Sequence, residues 1–322
     1  MASYLVTGAT GRLGRHLLPR LLARGSVRAV IRPGSLQQLP KGAARFEWDL
    51  ASGPLPESAF SGITHVVHLS GLVGDHPYDQ LLLQNGTAVR NLLANCPSSV
   101  KKVALASSIS VYGDYEGKIV DESFKPKTES PYGKSKLAGE KAALEHCCRL
   151  PVVLLRFGMI YGSLFEEGYF GVLQRIRAGR MPIIGSGKNR LPLLHASDAV
   201  SAIMLSLGKK TPPCRAYNIV GGGQPTQKEL FALAASELGV PSPGKKMPIS
   251  VAMLAASTLQ SLYRLGLGEK PSFTPENIRQ LALDRAYSTA RARRELGFVA
   301  KVKLGQGLKG VVRDFTAKGG KG

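Results

Sequence analysis

Apolar residues in this chain fall into short runs bounded by glycine-rich turns, and between the runs they recur at helical spacing. Runs 3–7, 27–31, 46–49, 65–69, 103–107 and 152–157 read as strands, and 13–23, 78–94 and 132–148 as helices. Such alternation predicts βαβ units and an α/β, doubly wound parallel sheet. After Arg156 the rhythm changes. Residues 163–195 mix loop and helix, and 225–322 are helix-rich with Pro and Gly breaks. The expected organisation is a sheet domain of 1–160 plus about 196–222, and a smaller, mainly helical lobe of about 161–195 plus 223–322. The lobe would cover the carboxyl edge of the sheet, where open parallel sheets hold ligands.

Directly after the first strand the chain reads Thr7-Gly8-Ala9-Thr10-Gly11-Arg12-Leu13-Gly14. In a strand–turn–helix setting, Gly8 permits the tight turn, Gly11 lets a diphosphate approach the backbone, and Gly14 allows close helix–strand packing. The phosphates then meet the positive end of the helix. At the tip of the second strand an acid would hold the ribose hydroxyl of NAD, whereas a base accommodates the extra phosphate of NADP. Here Arg28-Ala-Val-Ile-Arg32-Pro-Gly-Ser carries no acid, and Arg12 lies close by in the glycine loop. NADP is therefore the expected cofactor, with NAD as the alternative.

Tyr132-Gly-Lys134-Ser-Lys136 places a phenol and an ammonium four residues apart, on one face if the segment is helical. An ammonium beside a phenol favours the phenolate and lowers its pKa, the requirement for proton transfer to or from a substrate oxygen. Upstream, Ser107-Ser108-Ile-Ser110-Val-Tyr112-Gly113 ends a strand and offers hydroxyls that could share developing charge on that oxygen.

Together these segments resemble the extended short-chain dehydrogenase/reductases, specifically the NAD-dependent epimerase/dehydratase family, over nearly the whole chain. The resemblance implies a Rossmann-type fold, with Ser108 (four residues before the Tyr112-Gly113 pair), Tyr132 and Lys136 catalytic. It places Gly8, Thr10, Gly11, Arg12, Leu13, Gly14, Arg32, the Asp49-Leu50 pair, Leu69-Ser70-Gly71, Asn85 and Phe157 around the cofactor, with Tyr132 and Lys136 reaching it too. It places Val73, Ser110, Met159 and Arg190 against the substrate. The segments His195-Ala-Ser-Asp198 and Tyr217-Asn218 also match the family. No metal is implied.

Two departures bear on substrate. Met159 stands where nucleotide-sugar enzymes carry Asn, and the Arg-Asp that precedes their His-Val-x-Asp segment becomes Arg190-Leu-Pro-Leu-Leu-His195, without the acid. A methionine gives a flexible apolar contact and no strong donor. The helix at 249–267 followed by Lys270-Pro-Ser-Phe-Thr resembles the hydroxysteroid-dehydrogenase and dihydroflavonol-reductase branches. The expected activity is hydride transfer to or from a keto/hydroxy substrate, with Tyr132 as acid/base. A nucleotide-sugar epimerase or dehydratase is the second reading. A non-enzymatic NADP-binding sensor or assembly subunit is the third.

Composition modifies this little. The chain has 322 residues, 43% of them hydrophobic, as expected of a globular protein. The N-terminus enters a strand without a basic, apolar leader, and the stretch 249–267 is too interrupted by polar residues to span a membrane. Cys96, Cys147, Cys148 and Cys214 match neither a zinc site nor a disulfide framework, so reduced thiols in a cytoplasmic protein are expected. Lys318-Gly-Gly-Lys-Gly reads as a disordered tail. The formal charge of +21 would attract polyanions, an anionic membrane or nucleic acid included. That excess is spread along the chain beside no nucleic-acid-binding motif, so a small-molecule substrate is favoured as partner. A homodimer is compatible with the sequence.

Overall fold

Two faces of one sheet carry most of the chain's buried apolar residues. The computed structural model describes residues 1–115, 117–165, 169–267, 271 and 273–319. Its strands β1 (Ala2–Thr7), β2 (Gly25–Ile31), β3 (Ala43–Glu47), β4 (His65–His68), β5 (Lys102–Ser108), β6 (Val152–Phe157) and β7 (Arg215–Ile219) lie in the order β7-β6-β5-β4-β1-β2-β3. Every pairing among them is parallel. Central strands are covered on both sides, which is why β6 is buried at every position and reads as an apolar run broken only by Arg156. Strand order reverses between β1 and β4, and that switch point opens the crevice for a ligand.

The helices are α1 (Arg12–Leu22), α2 (Tyr78–Leu82), α3 (Ala88–Ala94), α4 (Pro131–Leu144), α5 (Tyr169–Arg177), α6 (Ala196–Gly208), α7 (Gln227–Leu238), α8 (Ile249–Arg264), α9 (Pro275–Ala282), α10 (Ala290–Leu296) and α11 (Leu304–Ala317). Leu17, Leu18 and Leu21 of α1 and Ala199 and Ile203 of α6 pack on one face of the sheet. Val89 and Leu92 of α3 and Ala142 and Ala143 of α4 pack on the other. A separate core joins Phe170 of α5, Phe231 of α7, Ala256 of α8, Leu281 of α9 and Phe315 of α11 into the lobe.

Four expectations need correction. The third strand covers Ala43–Glu47 rather than 46–49, because Asp49 leaves the ladder and its carboxylate accepts the Ala51 N–H at 2.9 Å. The helix expected at 78–94 is interrupted by a π-helical turn, Leu83–Thr87. Residues 290–298, expected in the lobe, return to the sheet, where Ala292, Leu296 and Phe298 join the core beneath α1 and α6. The fourth concerns thiols. Helix α4 ends at Leu144, and the turn after it brings Cys147 to Cys214, just before β7, where the two form a disulfide with Cα atoms 5.7 Å apart. Their 67-residue separation in sequence hid the pair. Lys270 and Ser272 of the branch-like segment, and residues 320–322 of the tail, lie outside the described residues. Among the described residues no helix is long and apolar enough to cross a membrane.

Candidate active site

The glycine loop is built by exclusion. Gly8 has φ +66°, and a Cβ there would lie 2.6 Å from the Ser70 nitrogen and 2.7 Å from the Leu69 carbonyl carbon. A Cβ at Gly14 would strike the carbonyl oxygens of Gly8 and Ala9. Only glycine lets the loop close onto the end of β4. Gly11 caps α1 without a side chain, so the first-turn amides of the helix stay available to an anion. Thr10 and Leu13 are half-buried beside it, and Arg12 is exposed with its guanidinium 6.0 Å from the Phe165 ring. At the far end of the crevice Arg32 is exposed just past β2, Asp49 is half-buried, and Leu50 is buried. The closed glycine loop and the open first turn of α1 fit the diphosphate of a dinucleotide.

Two contacts of the Thr7 hydroxyl hold the β4 turn. The Thr7 hydroxyl lies 2.8 Å from His68 Nδ1 and accepts the Ser70 N–H at 3.3 Å. Burial drives the His68 imidazole down to about 3, with the Lys136 charge adding to it, so the ring stays neutral. Asn85, expected at the cofactor, sits fully enclosed in the π turn. Its amide accepts from Leu72 N and donates to Leu72 O, both at 2.9 Å, and donates to Ser135 Oγ at 3.0 Å. In this geometry Asn85 fixes the Gly71–Val73 loop against α4. Gly71 and Val73 are themselves exposed.

Helix α4 carries the reactive pair. Ser130 caps it, accepting the Gly133 N–H at 3.0 Å, and Pro131 occupies its first turn. A Cβ on Gly133 would collide with Thr128 Oγ1 and the Ser110 carbonyl oxygen, so glycine lets the helix start press against the end of β5. That close approach places the half-buried Tyr132 in hydrogen-bonding contact with Ser108. Burial raises the Tyr132 pKa above its ordinary value, and the Ser108 hydrogen bond pulls part of the way back. The expected lowering by lysine is not what dominates here. Lys136 instead donates to the Ala106 carbonyl oxygen at 2.6 Å, and burial lowers its own pKa to about 8 despite the Glu140 charge. Ser108 also donates to Ser110 Oγ at 3.1 Å.

Sequence reasoning missed what lies behind this pair. Glu140, one turn beyond Lys136, binds Arg156 through both oxygens, at 2.9 and 2.6 Å, and accepts from Ser107. Arg156 donates to Tyr112 Oη at 2.7 Å, and Tyr112 donates to Asn218 Oδ1 at 2.8 Å. This buried chain locks α4 to β5, β6 and β7. The Tyr-x-x-x-Lys-x-x-x-Glu spacing could have flagged Glu140, since it continues the same helical face.

Phe157 is buried at the end of β6, opposite Ser108 in register. Arg190 is not left without an acid: Asp284, 94 residues away, holds its guanidinium at 2.9 and 2.7 Å. Arg285, unnoticed in the sequence as a site residue, reaches Met159 Sδ at 3.7 Å. It lines a cleft of about 290 Å³ that touches the reactive cluster through Ser110. A larger cavity of about 1090 Å³ lies in the lobe between α5, α8 and residues 240–247, and shares no lining residue with Ser108, Tyr132 or Lys136.

Known proteins resemble this chain over most of its length. A 2-alkyl-3-oxoalkanoate reductase of Stenotrophomonas maltophilia is 27% identical over 95% of this chain and 97% of its own. An uncharacterised UDP-glucose epimerase of Bacillus subtilis is 30% identical over 71% of this chain and 80% of its own. Among solved structures, MoeE5 in complex with UDP-glucose and NAD superposes with a TM-score of 0.76 at 27% identity, covering 99% of both chains. The NAD dependent epimerase/dehydratase family matches residues 4–220. The chain therefore belongs to the NAD-dependent epimerase/dehydratase family and is an NAD(P)-dependent enzyme of the short-chain dehydrogenase/reductase type.

Proposed function

We propose that this protein is an NADP-dependent reductase of a keto compound with an apolar portion, with Tyr132 as proton donor. The observation that carries the reading is the Ser108–Tyr132–Lys136 cluster at the carboxyl end of β5, one strand from the sheet's switch point. A half-buried phenol with a raised pKa is protonated at neutral pH and so is set to give its proton to a substrate oxygen as that oxygen gains charge. The Ser108 hydroxyl donates to the same oxygen, and Lys136 holds positive charge at the floor of the site. Nicotinamide, when bound, supplies the hydride. Arg32, exposed at the tip of β2 with no acid beside it in sequence, supports NADP over NAD.

Met159, a thioether where nucleotide-sugar enzymes carry Asn, favours hydrocarbon over sugar. So does the likeness to 2-alkyl-3-oxoalkanoate reductases along nearly the full chain. The likeness to MoeE5 bound to UDP-glucose favours the second reading, a nucleotide-sugar epimerase that oxidises and re-reduces one carbon. A panel of 3-oxo compounds and UDP-sugars, assayed with both reduced cofactors and for epimerisation, separates the two. Tyr132→Phe should lower kcat by about 10²- to 10⁴-fold while leaving NADPH affinity nearly intact. Unchanged turnover would remove Tyr132 from the role. Arg32→Ala should shift preference from NADPH toward NADH, and an unchanged ratio would mean another residue selects the cofactor.

A further inference from the structure

Two arginines stand near the substrate side of the reactive cluster, and their charges are handled differently. The Arg190 guanidinium is matched by Asp284 in a two-point ion pair. The neighbouring Arg285 has no carboxylate on it. Its Nη2 donates to the Gln280 carbonyl oxygen at 2.7 Å and touches the thioether of Met159, while its Nε is buried with no hydrogen-bond partner. A guanidinium with no carboxylate on it is costly to bury, and an acceptor brought by a bound molecule would offset that cost. Met159 sharpens the point, because a thioether neither neutralises the cation nor accepts strongly from it.

Arg285 borders the cleft of about 290 Å³, which also has Ser110, Lys127 and Arg279 on its walls. Three acids share the cleft. Glu129 is engaged by Lys134 at 2.8 Å and is largely exposed, Asp114 is exposed, and Glu276 accepts from Gln280 at 3.2 Å. Lys127 lies over the Tyr115 ring at 4.6 Å. None of the three acids makes an ion pair or hydrogen bond with Arg285 among the described residues. The inner end, at Ser110, begins one hydrogen bond from the hydroxyl assigned to the substrate oxygen, since Ser108 and Ser110 are 3.1 Å apart.

We propose that Arg285 is the specificity residue for a substrate carboxylate, and that the enzyme takes keto acids, among them compounds whose carboxylate is separated from the reacting carbonyl by one carbon. This rests on the reading of Tyr132 and Ser108 as the carbonyl-binding pair. A 3-oxoalkanoate has that arrangement, and so does the 4-keto form of a hexuronate, in which C6 is the carboxylate and C5 the intervening carbon. The two sources share one chemistry: a β-keto acid with its oxygen on Ser108 and Tyr132 and its carboxylate on Arg285. A planar guanidinium with two donors to offer suits a carboxylate in geometry as well as charge. A cleft of about 290 Å³ has room for this end of a substrate and not for a nucleoside diphosphate besides.

The test compares each acid with its neutral counterpart: a 3-oxoalkanoate against its methyl ester, and UDP-glucuronate against UDP-glucose, on the NADP-loaded full chain. The wild type should prefer the acid by about 10- to 100-fold in kcat/KM, the span expected of a hydrogen-bonded charge pair. Arg285→Gln keeps a donor for the Gln280 carbonyl but removes the charge, and should bring the acid-to-neutral ratio close to one. Arg285→Lys should restore part of it. A ratio near one in the wild type, or a ratio unmoved in Arg285→Gln, overturns the assignment while leaving the reductase or epimerase reading in place. Which acid is turned over identifies the source. If no member of the panel is turned over, equilibrium binding of a 3-hydroxyalkanoate and of its ester decides. Loss of the acid's advantage in Arg285→Gln supports the subsite, and its persistence rejects it.

Discussion

Lys136 carries its charge in a place that resists it. The side chain is 8% exposed, and burial brings its pKa from 10.5 to about 8. The unfolded chain binds this proton more tightly than the fold does, so the penalty is present in full below about pH 8 and disappears as pH rises toward 10.5. A shift of that size corresponds to roughly 3 kcal/mol, against about 1.5 to 3 kcal/mol for the charged hydrogen bond to Ala106. Lys136→Met should therefore inactivate the enzyme and raise its Tm at pH 6.5, and the gain should shrink by pH 9.5. Thermal melts at the two pH values check this, and a lower Tm at pH 6.5 would contradict it. The same titration predicts that kcat/KM for reduction falls as pH rises through about 8, because the cation is lost before the Tyr132 phenol, whose pKa burial has raised, can ionise. What was legible at this scale was what lies close in sequence: Tyr132 and Lys136 four apart, and three glycines within seven residues. Arg285 carried no signal, because its meaning depends on Met159 and Gln280 meeting it in space.

Helix α4 is the element on which the chemistry depends, and it is held at both ends. At its start, Gly133 is pressed against Ser110 and Thr128. Gly133→Ala fits a helix intrinsically better than glycine does by about 1 kcal/mol. It should nevertheless cost about 10²-fold in kcat, because the added methyl displaces Tyr132 from Ser108 and a misplacement near 1 Å is worth that much. Steady-state kinetics with NADPH affinity measured separately would show it, and a kcat within twofold of wild type would refute the constraint. At its far end, the Cys147–Cys214 disulfide ties the turn after α4 to the start of β7. Closing a 67-residue loop restricts the unfolded chain by about 4 kcal/mol in the chain-entropy account. Cys147→Ser should lower stability by up to that amount, and the denatured, unreduced protein should titrate two thiols, Cys96 and Cys148, rather than four. Strand and helix existence could be read from periodicity, but this tie could not. The adjacent Cys147 and Cys148 pointed away from a disulfide, and only the fold places Cys214 beside the first of them.

Across the whole molecule, 43 Lys and Arg face 22 Asp and Glu, and several of those acids are internal. Glu140, Asp198 and the Glu122 side chain are internal, but so are Lys102, Lys136 and Arg156, so the surface keeps the full basic excess of the composition. A field of this sign draws anions inward and can raise their association rate by about 10- to 10³-fold at low salt. Its reach is about 10 Å at 0.1 M ionic strength and contracts to about 3 Å at 1 M. The reacting groups, by contrast, are buried or half-buried and act over single hydrogen bonds, where screening is weak. Salt should therefore divide the kinetic constants. Raising ionic strength from about 0.02 to 0.5 M should lower kcat/KM for NADPH by roughly tenfold and leave kcat nearly unchanged. NADPH carries one more phosphate than NADH, so its advantage over NADH should narrow across the same range. Arg32→Ala should remove part of that advantage at every salt concentration without flattening the slope, since Arg32 is one cation among many. If kcat/KM for NADPH is flat in salt, the basic surface plays no part in capturing the cofactor, and recognition lies in the contacts of the glycine loop and Arg32 alone.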